Sequence, residues 1–227
     1  MKKVKQEVSI IVLCKNEGEG IEKILKSIKK HADEIVVVDG HSNDGTREIS
    51  EGLGANFYLD NKKGRGAALK IGIEKAKGEI LVFFDADGSH EEEDIPKLIK
   101  PILEGKADLV TASRRTGGSY DQNINFTGIV RSAGCDLLVA LVNRKYGTNL
   151  TDILYSFRAI KKSEALKLGS ISDDFRSEQE MVVKALKKNL KVVEIPSREK
   201  ARAWGKSKLK TREGVKFLFS LVKELYL

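Results

Sequence analysis

Asp85 and Asp87 stand at alternate positions directly after the apolar run Ile80 to Phe84. If the chain is still extended there, both carboxylates leave the same face and can address one ion. Two carboxylates suit a hard divalent cation, Mg²⁺ or Mn²⁺, which completes its shell with water and substrate phosphates. Taken alone the pair is equally a polar turn, since Gly88 follows. Other reactive groups follow other apolar runs: Lys15-Asn16-Glu17, then Asp39-Gly40-His41-Ser42-Asn43-Asp44-Gly45, then Ser113-Arg114-Arg115. Gly64-Arg65-Gly66 opens a helical segment, where free N–H groups and the helix dipole favour an anion such as a diphosphate; a Gly- and Lys-rich helix start is also ordinary surface. The spacing does not complete a dinucleotide fingerprint, because Leu69 occupies the third glycine position, and the chain has no GxxxxGK[ST].

Positioning these groups requires a scaffold that ends several strands along one edge. Val8 to Leu13 is a continuous apolar run of strand length, and Ile21, Ile24, Leu25 and Ile28 then recur at helical spacing. The alternation continues with strands over Ile35 to Val38, Asn56 to Leu59, Ile80 to Phe84 and Asp108 to Ala112, and helices over Thr46 to Glu51, Gly66 to Ala76 and Ile95 to Leu103. After Arg114 a loop, TGGSYDQNINFTG, leads to a helix over Val130 to Val142, a strand over Phe157 to Ile160, a helix over Phe175 to Lys188 and a strand over Lys191 to Ile195. Fully apolar strands alternating with helices predict an α/β fold, a mostly parallel twisted sheet with helices on both faces. Ligands of such sheets bind beyond the carboxyl ends of the strands, where the polar groups above collect.

A chain of 227 residues, 41% hydrophobic and 33% charged, is enough for one well-cored domain and excludes a disordered chain. It contains no apolar run long enough to span a bilayer, and MKKVKQE runs straight into a strand, which reads as a cytosolic protein. Cys14 and Cys135 are far apart and there are three histidines, so neither a disulfide framework nor a cysteine-histidine zinc site is expected. The net charge is +8, and Lys184 to Lys216 alone holds 12 basic and three acidic residues. That segment is either a solvated lysine-rich surface or faces an anion: nucleic acid, lipid head groups or a phosphorylated substrate. Gly214 to Leu227 puts Val215, Leu218, Phe219, Val222, Leu225 and Tyr226 on one helical face, widened by Phe217 and Leu221. It either packs on the sheet or lies on a bilayer or a membrane partner.

The segments VSIIVLCKNE, IVVVDGHSNDGT, KKGRGAALKIGIEKAKGEILVFFDADGSH, ADLVTASRR, TDILYSFRA and RAWGKSK, in this order across about 200 residues, resemble the family 2 inverting glycosyltransferases of the GT-A fold. The branch they are most similar to is the dolichyl-phosphate mannose or glucose synthases. The resemblance implies a GT-A domain over 1–210, with a nucleotide-sugar half to about residue 115 and an acceptor half after it, followed by a C-terminal helix over 211–227. It implies that Asp39 reads the nucleotide base beside Glu17, that Leu13 and Lys15 border the donor, that Arg65 is the basic residue of the glycine-rich turn, and that Asp85 and Asp87 hold the metal. For the acceptor phosphate it implies Arg114 and Arg131, with Arg202, Ser207 and Lys208 in a late loop that closes over phosphates. Departures are Leu13 for a proline, Ser156-Phe157-Arg158 for the GFR motif, and Ser89 where mannose synthases often carry Gln.

The chemistry implied is displacement at the anomeric carbon of a GDP- or UDP-linked hexose. Asp87, Arg114 and Arg131 carry it, and the acceptor is a polyprenyl phosphate at a membrane surface or beside a membrane-anchored partner. A phosphate acceptor is already anionic and needs no general base; a hydroxyl acceptor would need one, with Asp152, Asp173 and Asp174 as candidates. Asp173-Asp174 before a helix also reads as an N-terminal cap. A rival is a haloacid dehalogenase-like phosphatase, with Asp85 as nucleophile, but its motif should come first in the chain, whereas DGHSNDGT precedes DADGS here. A non-enzymatic nucleic-acid or membrane-binding module explains the basic segment alone. With Trp204 the sole tryptophan, no stacking platform and no nucleic-acid partner is expected.

Overall fold

Burial on both faces is what the apolar strands require, and the sheet supplies it. The computed structural model describes residues 7–119, 126–169, 171–204 and 214–226; side chains at 126–131 lie outside what it describes. In chain order the elements are β1 (Val8–Cys14), α1 (Gly18–Ile28), β2 (Glu34–Asp39), α2 (Thr46–Gly52), β3 (Asn56–Leu59), α3 (Arg65–Lys75), β4 (Ile80–Asp85), α4 (Ile95–Leu103) and β5 (Leu109–Ser113). There follow the single turn α5 (Arg114–Gly117), α6 (Phe126–Tyr146), β6 (Arg158–Lys161), α7 (Lys162–Lys167), α8 (Ser177–Lys187), β7 (Val192–Pro196) and α9 (Gly214–Tyr226).

Seven strands form one sheet in the order β3-β2-β1-β4-β6-β5-β7. All pairs are parallel except those of β6, which runs antiparallel to β4 and to β5. Along β1 the side chains alternate between two cores: Ile11 and Leu13 pack with Leu69 and Ile73 of α3 and with α6, α8 and α9, while Ile10 and Val12 pack with Ile21, Ile24 and Ile28 of α1 and Leu98 and Ile102 of α4. This two-sided burial explains the unbroken apolar run.

Two strands run further than their apolar residues suggest, because backbone pairing carries each through its terminal aspartate: Asp39 is in register with Cys14 and Leu59, and Asp85 with Leu13. The helix expected from Val130 starts at Phe126, since extending a formed helix adds a hydrogen bond per residue without a new nucleus. The helix expected from Phe175 starts at Ser177 with no side-chain cap; Asp174 instead accepts from the backbone N–H and the Nε of Arg176 at 2.9 Å. The aspartate pair therefore shapes a turn ahead of the helix and does not cap it. The C-terminal helix divides the single face read from its sequence: Phe217, Leu221 and Leu225 are buried in the core, while Val215, Phe219, Val222 and Tyr226 are 42–72% exposed.

The start of α3 is fitted against the segment before α8. Gly64 adopts φ +128°, a region open to glycine, and a Cβ on Gly66 would stand 2.0 Å from the Ser172 carbonyl oxygen and 2.9 Å from that of Asp174. The Ala67 N–H donates to the Asp173 carbonyl across the same contact, 3.1 Å. Gly66→Ala must push the two backbones apart and is expected to destabilise the protein by about 1–3 kcal/mol. Urea unfolding tests this, and an unchanged midpoint would refute the packing argument.

Candidate active site

The carboxyl ends of β1, β2 and β4 converge, and side chains stitch their loops together. Asp39, 1% exposed, accepts from the backbone N–H of Ser42 at 2.7 Å and from its hydroxyl. Ser42 Oγ in turn accepts from the Asn16 N–H, and Asp44 from the Gly18 N–H at 2.8 Å. The β1 and β2 loops thus form one wall carrying Leu13, Lys15, Glu17 and Asp39. Gly40 lets the Lys15 side chain lie across the turn: a Cβ there would come within 3.0 Å of it. Burial, with the Asp39 carboxylate next to it, pushes the Cys14 thiol well up, so Cys14 is a protonated core residue.

Asp85 and Asp87 are not held by strand alternation as the spacing suggested. The strand stops at Asp85 and the chain turns at Ala86, so each carboxylate has its own partners. Asp85 accepts from Arg65 Nη2 at 2.5 Å and from Ser156 Oγ at 2.8 Å. Asp87, 4% exposed, accepts from the N–H and hydroxyl of Ser89 at 3.0 and 2.6 Å and pairs with Arg202 at 2.5 Å. Arg65 also donates from Nε to Glu178 at 2.7 Å. Burial alone would raise the Asp85 pKa, but the Arg65 guanidinium, with the hydrogen bond from Ser156, holds the carboxyl well below the usual range. Burial would likewise weaken Arg65, and Asp85 and Glu178 outweigh it and keep the guanidinium charged.

His90 lies beneath this pair, 2% exposed and stacked on Phe157 at 4.7 Å between ring centroids. Its Nδ1 accepts from the Asp85 N–H at 3.2 Å, which leaves Nε2 to carry the hydrogen toward Ser156 Oγ at 3.2 Å. Burial lowers its pKa despite the opposing charges of Asp85 and Asp87, so the ring is neutral at neutral pH. It braces the first aspartate and is not itself aimed at a ligand.

Acidic oxygens fit a hard divalent cation, and Mg²⁺ commonly uses only one or two carboxylates. Asp85 and Asp87 offer two such carboxylates at the turn after β4. Each carboxylate is already neutralised by one arginine, so the site is built to balance charge at this position.

A strap closes over the turn. The N–H groups of Lys200 and Ala203 donate to the carbonyls of Ser89 and Asp87 at 2.8 and 2.9 Å, and Trp204 Nε1 donates to that of Ala86 at 2.8 Å. The indole covers Gly20, where a Cβ would come within 1.9 Å of it. Arg202, expected at an acceptor phosphate, is brought instead to Asp87, because this strap carries it onto the turn. Ser207 and Lys208, and the side chain of Arg131, lie outside the described residues; the Arg131 backbone is in the first turns of α6.

Arg114 opens α5 at the end of β5. It clamps Asp152 with Nε to Oδ2 at 2.7 Å and Nη2 to Oδ1 at 3.2 Å, stands 3.6 Å from Glu199, and lies over the Tyr155 ring at 4.8 Å. Asp152 further accepts from the N–H groups of Leu154 and Tyr155 at 3.0 and 3.1 Å. Burial would raise its pKa, yet Arg114 lowers it below the usual range. Arg158, 1% exposed, spans the floor and donates to the carbonyls of Glu178 and Tyr155; burial lowers its pKa to about 10.

Ser156, Tyr155, Glu178 and Glu199 were not legible as site residues. Ser156 stood only as a departure from the GFR motif, and the other three carry no local pattern.

Glycosyl transferase family 2 matches residues 9–165. The chain is 32% identical to the dolichol-phosphate mannosyltransferase of Pyrococcus furiosus over 97% of its length and 63% of that protein, and 28% identical to glycosyltransferase AglJ of Haloferax volcanii over 84% and 62%. It therefore spans less than two thirds of either relative. Glucosyl-3-phosphoglycerate synthase from Mycobacterium tuberculosis, solved with Mn²⁺, UDP and glucosyl-3-phosphoglycerate, superposes with a TM-score of 0.76 at 20% identity, over 95% of this chain and 80% of that one. A sheet of this order, with a paired-aspartate turn at its central edge, is thus the GT-A architecture, and the chain belongs to glycosyltransferase family 2.

Proposed function

We propose that this enzyme moves a hexose from a GDP- or UDP-linked donor to a polyprenyl phosphate, with inversion, using Mg²⁺ or Mn²⁺ held by Asp85 and Asp87. The observation that carries the acceptor assignment is the state of Asp152. Both its oxygens are committed to Arg114 and to two backbone N–H groups, and its basicity is depressed, so the buried carboxylate of the acceptor half is a poor general base. An acceptor phosphate oxygen needs none. Asp173 and Asp174 are engaged with Lys70 and Arg176 instead.

Asp39 offers the wall between β1 and β2 a carboxylate for base recognition. Arg65 and Arg202 supply positive charge beside the two aspartates, where the donor diphosphate would lie. Arg114, fixed by Asp152 and stacked on Tyr155, presents a pre-oriented cation that holds the acceptor in line, with Arg131 and Lys208 assigned to the same phosphate. When bound, the divalent cation supplies Lewis-acid neutralisation of the departing diphosphate. The names of the Pyrococcus relative and of the Mycobacterium neighbour's ligands support the lipid-phosphate and nucleotide-metal parts of this reading, respectively.

Thermal unfolding with GDP, UDP and their hexose conjugates, with and without Mn²⁺, comes first. One nucleotide at 100 times its dissociation constant is expected to stabilise by about 2.7 kcal/mol, roughly 5–10 °C for a chain of this size, and only with the metal. Radiolabelled transfer from that donor to a polyprenyl phosphate, and none to a polyprenol or a glycan, completes the test. Transfer confined to hydroxyl acceptors would overturn the proposal.

A further inference from the structure

Tyr155 carries a buried hydroxyl that no other group of the site uses. The residue is 3% exposed, and among the described residues its phenol oxygen has no hydrogen-bond partner. An unpaired buried hydroxyl costs stability that phenylalanine, with the same ring, would not. The rest of the residue is held firmly. Its backbone N–H donates to Asp152 at 3.1 Å, and its carbonyl accepts from Arg158. Its ring lies beneath the Arg114 guanidinium, 4.8 Å from the centroid, and edge-on to His90 at 5.1 Å and to Phe157 at 6.3 Å between centroids. With ring and backbone fixed, the hydroxyl is fixed as well.

Its place is among the charges that join the two halves of the site. Those that act on the phenol are Glu199, Arg114, Asp85 and Asp152, contributed by the strap, the end of β5, the end of β4 and the loop before β6. The carboxylates among them are engaged elsewhere. Asp85 accepts from Arg65 and Ser156, Asp152 from Arg114, and Glu199 from the Ser119 hydroxyl, with Arg114 at 3.6 Å. Burial, then Glu199, push the phenol pKa well up, so the group stays protonated and can both donate and accept.

A transferred hexose must pass from a diphosphate at the paired aspartates to an acceptor at Arg114, and Tyr155 stands among the groups of both. The chemistry of the phenol selects between these ligands. An anionic acceptor oxygen is served by the Arg114 charge. A sugar hydroxyl is neutral, donor and acceptor at once, and a phenol is its match. A buried polar group kept unpaired in the free protein is what a site that reads such a hydroxyl requires, because an analogue lacking it would leave the phenol unsatisfied.

We infer that Tyr155 forms a hydrogen bond with one hydroxyl of the hexose being transferred, and so determines which sugar the enzyme accepts; this rests on the donor reading above, with the diphosphate at Asp85 and Asp87. The hexose enters beneath the strap. Glu199 stands at the start of that segment, where its N–H donates to the Gly118 carbonyl at 2.9 Å, and lifting the strap uncovers the phenol.

Calorimetric titration with GDP, UDP and their glucose, mannose, galactose and N-acetylglucosamine conjugates, in Mn²⁺ and without acceptor, gives the affinity that the hexose adds to its nucleotide. Tyr155→Phe keeps the ring under Arg114. It is expected to melt about 2–4 °C higher, to bind the nucleoside diphosphate unchanged, and to bind the preferred hexose conjugate about 10-fold more weakly. One monodeoxy form of that conjugate should lose about 10-fold on the unaltered protein and nothing further on Tyr155→Phe, which names the hydroxyl. The inference is overturned if the variant melts several degrees lower, showing a structural partner for the phenol, if it binds the hexose conjugate as tightly as the unaltered protein, or if every monodeoxy form is discriminated equally by both proteins. An unaltered protein that binds no nucleotide would overturn the donor reading, and this inference with it, before the variant is compared.

Discussion

Asp87→Asn is expected to lower hexosyl transfer by about 10³-fold, corresponding to some 4 kcal/mol of lost transition-state stabilisation. The substitution preserves shape. An amide oxygen can still accept from the N–H and hydroxyl of Ser89, which fold the turn onto the side chain at 3.0 and 2.6 Å. The negative charge disappears, and with it both the ion pair to Arg202 and a ligand for the divalent cation. Metal-dependent stabilisation by nucleotide should vanish with the activity, while the melting temperature without ligand falls only slightly. Full transfer by Asp87→Asn would remove Asp87 from the mechanism. Arg202→Gln separates the two consequences of losing this charge: it frees Asp87 of its ion pair and keeps the carboxylate, so nucleotide binding should weaken with the lost positive charge yet stay metal-dependent.

Asp152→Ala is expected to act first on stability, costing about 3 kcal/mol, the lower end for breaking a buried ion pair because Arg114 retains Glu199 and some solvent. For a chain of this size that is roughly 6–12 °C of melting temperature. Truncation also leaves the N–H groups of Leu154 and Tyr155 without an acceptor and releases Arg114 from its orientation. Asp152→Asn distinguishes an anchor from a base. It can still accept those two N–H groups, so it should fold and should lose far less than the roughly 10²–10⁴-fold that removing a general base costs. A loss of that size in Asp152→Asn, with stability intact, would establish a base and with it a hydroxyl acceptor.

The same pair shapes the acid limb of stability. The folded-state pKa of Asp152 lies below its ordinary value of 3.8, so its contribution is complete above that value and is lost as the pH falls through the lower folded-state pKa. Asp85, also depressed, acts in the same direction. Urea unfolding of Asp152→Asn should therefore show a shallower decline below about pH 4 than the unaltered protein.

Much of the polar edge of the sheet was legible because its information is local. Asp39 and Asp85 each end a run that could only be a buried strand, so their place at the carboxyl edge followed from the runs themselves. Gly64-Arg65-Gly66 similarly announced a helix start, whereas the close backbone approach at Gly66 is visible only in the structure. The partners that the later part of the chain brings to this edge were less legible. Glu178 meets Arg65 across 113 positions, and Trp204 meets Ala86 across 118, with no repeat or spacing to signal either.

From the sequence alone follow the α/β alternation, the mostly parallel sheet and the polar edge, because side-chain period and burial are properties of neighbouring residues. Tertiary structure alone decided that β6 runs against its neighbours, that α9 shows apolar groups on two sides, and that Arg65 bridges Asp85 and Glu178 while Arg202 pairs with Asp87 and Arg114 with Asp152. A buried charge must find a counter-charge wherever packing brings one near, and distance along the chain places no constraint on that choice.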